Sequence, residues 1–140
     1  MSSPFRPHTA PARNAAAILL CMLIAASSTL AAPRALPGTF APALERIRIA
    51  AGQRDYSALR AMMVEDFTWS FGGDGSADQA IEAWKGDSSS MPALAKAARM
   101  SCGWISGDIV QCPTSAKLGH RAGFKLVEGQ WRMVYFVSGD

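Results

Sequence analysis

The last third of the chain has the clearest alternation of apolar and polar positions. It predicts two strands, over 118–127 and 130–138, joined by the two-residue turn Glu128-Gly129. The apolar face of this hairpin is formed by the pairs Leu126 with Trp131, Phe124 with Met133, Ala122 with Tyr135 and His120 with Val137. The opposite face carries Lys125 across from Arg132, and two like charges in register favour a face that is open to water.

Periodic apolar positions before the hairpin predict four helices. Their expected bounds are about 39–51, 55–64, 76–85 and 89–100, capped by Thr39, Asp55, Ser76 and either Ser89 or Ser90. Between the second and third helices, Phe67, Trp69 and Phe71 alternate with polar residues, which predicts a strand with all three rings on one face. This order of elements indicates an α+β fold with helices packed on one face of a mainly antiparallel sheet.

The first 31 residues have the pattern of a secretory signal peptide. A basic, proline-containing start precedes the unbroken apolar run Ala15–Ala26, and small residues follow at Thr29 and Ala31. The apolar run is short for a membrane span, although an uncleaved anchor is the alternative. We therefore predict a signal peptide over 1–31, a single domain over 32–140, and a periplasmic or secreted location with no membrane contact after cleavage.

Much of the positive net charge of the chain comes from the leader. The whole sequence has a net charge of +3 and a pI near 9.0. Arg6 and Arg13 belong to the leader, which has no acidic residue, so acidic and basic side chains nearly balance in the remainder. A balanced domain has no electrostatic footprint for DNA or RNA, and we expect no nucleic-acid partner.

Cleavage of the leader removes Cys21 and leaves two cysteines in the domain. We expect both to reach an oxidising compartment. Short apolar pairs on either side of the loop 106–108 predict a second hairpin that sets Cys102 directly opposite Cys112. A disulfide is favoured over a metal pair or a catalytic thiol, because nine intervening residues match no metal-binding spacing. We expect no metal and no cofactor.

Five residues are candidates for a functional site. His120, the only histidine after the leader, and the carboxylate of Asp66 are the candidates for acid–base catalysis, although a buried core histidine is the commoner outcome. Trp69, Phe71 and Tyr135 are candidates for ligand binding, although aromatic residues at strand spacing usually belong to a core.

Several segments resemble a known superfamily. The stretches over 50–59, 66–69 and 80–84, together with the closing run over 128–137, resemble NTF2-like (SnoaL-like) domains. The chain also resembles uncharacterised secreted bacterial proteins in which an aspartate-aromatic stretch precedes Ser-Phe-Gly-Gly-Asp. The resemblance implies a cone-shaped cavity that aromatic side chains could line. The chain departs from it in the extra helix over 88–100 and in having a single strand before Ala77.

Two functions are compatible with these features. We favour an exported domain that binds a small molecule or a protein partner without catalysis, and a homodimer is one form such a partner could take. The alternative is a small enzyme of the same superfamily, isomerase- or hydrolase-like, that uses His120 with a carboxylate. Fold alone does not decide between them.

Overall fold

The structure is a computed structural model of the 140-residue chain. It describes residues 31–70, 72, 75–115 and 119–139, and these belong, except for Ala31, to one compact unit over Ala32–Asp140. The predicted signal peptide lies outside the described residues apart from Ala31, and Phe71 lies outside them as well.

Four helices precede most of the sheet, and two of them begin at side-chain caps. The helices are α1 (Phe40–Gln53), α2 (Tyr56–Ala61), α3 (Ala77–Gly86) and α4 (Ser90–Ala97). The carboxylate of Asp55 accepts a hydrogen bond from the Ala58 amide at 2.9 Å, and the Ser76 hydroxyl accepts one from the Gln79 amide at 3.4 Å. Both caps were predicted. Thr39 precedes α1 but makes no cap hydrogen bond.

The five strands form one sheet in the order β1-β5-β4-β3-β2. They are β1 (Met63–Thr68), β2 (Gly103–Trp104), β3 (Ile109–Cys112), β4 (His120–Val127) and β5 (Gln130–Ser138). β1 runs parallel to β5 and every other neighbouring pair is antiparallel. The predicted class, α+β with a mainly antiparallel sheet, is therefore confirmed.

The second helix and the first strand differ from the prediction. α2 ends at Ala61, and the segment from Met63 that was expected to be helical opens β1 instead. The cause is pairing with a distant strand, since the Met133 amide donates to the Met62 carbonyl at 2.8 Å. Residues far apart in sequence thus override the local helical preference. Trp69 lies just beyond the end of β1 rather than within a strand.

The C-terminal hairpin has the predicted register only over its half nearest the turn. Pairs from Val127 with Gln130 to Phe124 with Met133 are as expected. Val134 then has no partner, so the next pair is Gly123 with Tyr135, and His120 lies opposite Ser138 rather than Val137. One unpaired residue is a β-bulge, and it turns every later side chain of that strand to the other face. Tyr135 is consequently not on the apolar face where the sequence pattern puts it.

The core lies between the helices and the inner face of the sheet. Its largest fully buried side chains come from three of the helices and four of the strands: Phe67, Phe124, Ile47, Leu59, Met91, Leu94, Met133, Val110 and Cys112. Phe40 packs edge-on against both Phe124 and Trp131, with ring centroids 5.5 and 4.9 Å apart. Such edge-to-face contacts add to the hydrophobic stabilisation of the core.

The predicted disulfide between Cys102 and Cys112 is confirmed, with the two Cα atoms 4.3 Å apart. The hairpin it closes also holds the start of the domain. The Trp104 indole donates to the Ala35 carbonyl at 3.2 Å, while the Arg34 guanidinium lies 3.6 Å above the Trp104 ring and donates to the Gly107 carbonyl. This cation–π contact and two hydrogen bonds connect residues 34 and 35 to the disulfide hairpin.

Two features are absent from residues 31–70, 72, 75–115 and 119–139. None of the helices there is long and apolar enough to cross a membrane. Nor do three or more histidine, cysteine or acidic side chains in those ranges gather into a group that could hold a metal ion.

Candidate functional site

A cleft of about 430 Å³ opens where the end of β1, α3, β4 and β5 meet. We call it the aromatic cleft, and its lining residues are Trp69, Ala83, Trp84, Asp87, Ser89, Ser90, His120, Phe136 and Ser138. Four rings therefore meet at this cleft: Trp84 and Phe136 are almost fully buried, whereas Trp69 is half-buried and His120 is exposed. Its volume falls within the usual range for small-molecule sites.

The floor of the aromatic cleft is rigid because its rings are locked by edge-on packing. Trp84 is T-shaped to Phe67 and to Phe136, with centroids 5.6 and 5.8 Å apart. The imidazole of His120 stacks on Phe136 at 5.2 Å with only 23° between the planes. His120 is on the helix-facing side of β4, as predicted, but it is exposed at the rim rather than buried in the core.

Asp87 gives the aromatic cleft a fixed negative charge at its rim. Its carboxylate accepts hydrogen bonds from the Ser90 hydroxyl at 2.5 Å and from both the amide and the hydroxyl of Ser89, at 2.9 and 2.8 Å. These bonds, first of all the one from Ser90, lower the pKa of Asp87 to about 2. The group is ionised throughout the neutral range, and its lone pairs are already engaged.

Four of the five predicted site residues lie in the described ranges, and they are divided between two places. His120 and Trp69 both line the aromatic cleft. Asp66 and Tyr135 line a different cleft of about 620 Å³, which also includes Lys125 and Val134. The structure thus does not bring His120 and Asp66 together, and Phe71 lies outside the described residues.

Tyr135 is held by a polar network on the outer face of the sheet. Its hydroxyl donates to the Gln111 side-chain oxygen at 2.7 Å, and the Gln111 amide donates to the carbonyls of Pro113 and Thr114 at 3.0 and 3.2 Å. Burial raises the pKa of Tyr135, and the nearby positive charge of Arg121 opposes that rise in part. Because both polar atoms of the Gln111 side chain are hydrogen-bonded within the protein, we infer that this network has a structural role.

Sequence reasoning missed Asp87 and considered Ser89 and Ser90 only as caps of the fourth helix. A signal was present, because an aspartate followed by Ser-Ser at the start of a helix is typical of a turn in which the carboxylate accepts backbone and hydroxyl hydrogen bonds. The sequence also did not predict that Trp84 and Phe136 are neighbours. They are 52 residues apart and meet only through tertiary packing.

Comparisons with solved structures return the class that the sequence resembles. The chain is similar to an NTF2-like protein of unknown function from Shewanella oneidensis, at 12% identity over 73% of this chain and 97% of that one, with a TM-score of 0.45. An NTF2-like protein of unknown function from Pseudomonas putida is 13% identical over 70% of this chain and 81% of that one, with a TM-score of 0.46. An NTF2-like protein from Novosphingobium aromaticivorans, described as having a cystatin-like fold, is 17% identical. The match covers 71% of this chain and 77% of that one, with a TM-score of 0.41.

These three proteins are at most 17% identical to this chain. The likeness concerns the arrangement of helices and strands and assigns no role to any residue. No protein-family model matches the sequence, and no curated protein matches it.

Proposed function

We propose that this protein is an exported domain that binds a small, flat, uncharged molecule in the aromatic cleft without converting it. The observation that carries the proposal is the convergence of Trp69, Trp84, His120 and Phe136 on one open space of about 430 Å³. The accessible rings of Trp69 and His120 bind a flat apolar surface by dispersion and water release, and the Asp87 charge at the rim disfavours an anionic ligand.

A binding role is favoured over catalysis by the state of the carboxylate beside His120. A general base works best when its pKa is near the working pH, and a carboxylate with a pKa of about 2 and fully engaged lone pairs is a poor base. In the described part of the chain, no carboxylate accepts a hydrogen bond from His120, whose ring instead stacks on Phe136. The enzyme alternative would therefore depend on His120 alone.

Export is the second part of the proposal. It rests on the leader pattern of 1–31 and on the disulfide between Cys102 and Cys112, a bond that persists in oxidising compartments. We expect a mature N-terminus at Ala32 or within a few residues of it. N-terminal sequencing of protein recovered from the periplasm or the medium tests this, and a sequence beginning at Met1 or Ser2 would contradict it. A protein partner or a second copy stays a prediction.

Binding is tested by titrating the isotope-labelled protein with indole and following its amide NMR signals. Indole is flat and uncharged, and we expect its largest shifts at residues around His120 and Phe136. Trp69→Ala should weaken binding, because it removes one wall of the cleft. The matched control is Leu126→Ala, which removes a side chain that is 49% exposed and lies outside the aromatic cleft. Equal affinities for the two variants would refute the proposed site.

Catalysis is tested separately from binding. His120→Gln keeps a polar, planar group at the cleft rim but removes the titratable imidazole. If the protein only binds, this variant should weaken indole binding no more than Trp69→Ala does, because each removes one accessible ring of the cleft. A turnover activity that is present in the unaltered protein and lost in His120→Gln would favour the enzyme alternative.

A further inference from the structure

A second and larger cleft lies on the helical side of the molecule, away from the residues of the aromatic cleft. It has a volume of about 660 Å³ and is bounded by α1, α2 and the turn between β4 and β5. We call it the helix groove. No sequence motif pointed to it, and it shares no lining residue with the aromatic cleft.

The helix groove exists because its walls carry small side chains. Ala43 and Ala50, two turns apart on α1, and Ala58 on α2 line it, with Trp131 on the hairpin side. Residues seven apart on a helix share one face, so Ala43 and Ala50, which are 3% and 4% exposed, form the floor of the recess. Ile49, a lining residue that is 43% exposed, adds accessible apolar surface beside them. The recess fits the apolar body of a ligand.

The charged groups of the helix groove favour an anion. Arg46 lies between the two alanines of α1, is exposed, and makes no hydrogen bond or ion pair with any residue that the structure describes. The neighbouring Glu45 and Arg48 pair with each other. Arg46 therefore presents a guanidinium whose hydrogen-bond donors are available at the groove mouth.

The other charged residues that line the helix groove are already engaged. Arg132 donates to the Ala61 carbonyl and to the Gln130 side-chain oxygen, the latter at 2.8 Å. Asp55 is the one lining carboxylate among the described residues, and it accepts the Ala58 amide as the cap of α2. Two guanidinium groups against one carboxylate leave a net positive charge around an apolar recess.

From this arrangement we propose that the helix groove binds a small amphiphilic monoanion, a carboxylate on an apolar body. The carboxylate contacts Arg46 through charge-assisted hydrogen bonds, and the apolar body lies on the alanines of α1 and α2. A medium-chain fatty acid has this chemistry and fits a site of this volume. The proposal is independent of the aromatic cleft, where the charge of Asp87 favours the opposite kind of ligand.

Decanoate, used below its micelle concentration, is the probe, with binding followed by calorimetry and by amide NMR on the purified protein. We expect saturable binding with shifts in α1 and α2 around Ala43, Ala50 and Ala58. Decyltrimethylammonium has the same chain with the opposite charge and should bind at least tenfold more weakly, because one charged hydrogen bond corresponds to roughly a tenfold effect or more.

Two variants locate the site. Arg46→Gln should weaken decanoate binding about tenfold, because it removes the free guanidinium but keeps a helix-forming side chain. Lys96→Gln removes one positive charge from an exposed position of α4 outside the groove and should leave the affinity unchanged. Ala61→Leu adds bulk at an exposed lining position and should also reduce binding.

The proposal is overturned by any of four results. One is the absence of saturable decanoate binding at millimolar concentration. Another is equal affinity of decanoate and decyltrimethylammonium, or equal effects of Arg46→Gln and Lys96→Gln. The last is decanoate-induced shifts confined to the region of His120 and Phe136, which would assign the probe to the aromatic cleft.

Discussion

The ring of Tyr135 lies directly over Gly123 on the neighbouring strand, so close that a Cβ atom on Gly123 would be 2.1 Å from the Tyr135 Cε1 atom. The two residues are cross-strand partners at the bulge of the C-terminal hairpin. The missing side chain is what lets the ring lie against the sheet and reach Gln111 with its hydroxyl. The bulge, the glycine and the hydrogen bond thus form one structural unit.

Gly123→Ala should therefore destabilise the fold by about 1–3 kcal/mol, as overpacking does. The added methyl group would displace Tyr135 and break its hydrogen bond to Gln111. Chemical denaturation measures the change in the free energy of unfolding. Gly52→Ala is the matched control, since nothing lies within 4 Å of a Cβ there and alanine favours the helix. A Gly123→Ala protein as stable as the control would contradict the close contact.

The indole of Trp131 donates to the Thr39 hydroxyl at 3.1 Å, so this hydroxyl connects α1 to β5 and does not cap the helix. Trp131→Ala should cost roughly 3–5 kcal/mol, because it removes a large buried ring. Thr39→Val keeps the size but removes the acceptor, and should cost about 1 kcal/mol. Thr68→Val, at an exposed position of β1, is the control for the same chemical change. Thermal melting of the three variants checks the order, and equal losses for the two threonine variants would contradict the hydrogen bond.

Protonation of Asp87 should lower the stability of the protein in acid. The pKa of Asp87 in the fold, about 2, lies below its ordinary value of 3.8, so its stabilising effect is complete above pH 4 and is lost as the pH falls toward 2. Ser90→Ala removes the strongest donor and should raise the pKa of Asp87, whereas Ser88→Ala should not, since the Ser88 hydroxyl donates to no atom of Asp87. NMR titration of the Asp87 carboxyl carbon measures both. An unaltered Asp87 that titrates near 3.8 would contradict the network.

The disulfide should be intact in the purified protein and should stabilise the hairpin. Intact-mass measurement should find two hydrogens fewer than in the reduced chain. Replacing both cysteines with serine should lower the free energy of unfolding by roughly 3 kcal/mol in the chain-entropy account of a short loop. We expect weakened contacts of Trp104 with Arg34 and Ala35 as well, visible in amide exchange. Ready alkylation of both cysteines without reductant would contradict the bond.

Local pattern was sufficient for several features whose residues are neighbours both in sequence and in space. The Asp55 and Ser76 caps, the hairpin turn at Glu128-Gly129 and the pairing of Cys102 with Cys112 are all of this kind. Each depends on a few consecutive residues whose side chains satisfy nearby backbone groups or face each other across a short loop. These features determined the α+β class and the oxidised hairpin from the sequence alone.

Tertiary structure decided the rest, because the deciding partners are far apart along the chain. β1 begins at Met63 because β5 pairs with it, and the unpaired Val134 moves Tyr135 to the outer face. An alternating pattern predicts which residues share a face but carries no signal for a bulge, and one inserted residue reverses the pattern beyond it. The aromatic cleft depends on the same long-range packing, since it joins rings from β1, α3, β4 and β5 that no local rule relates.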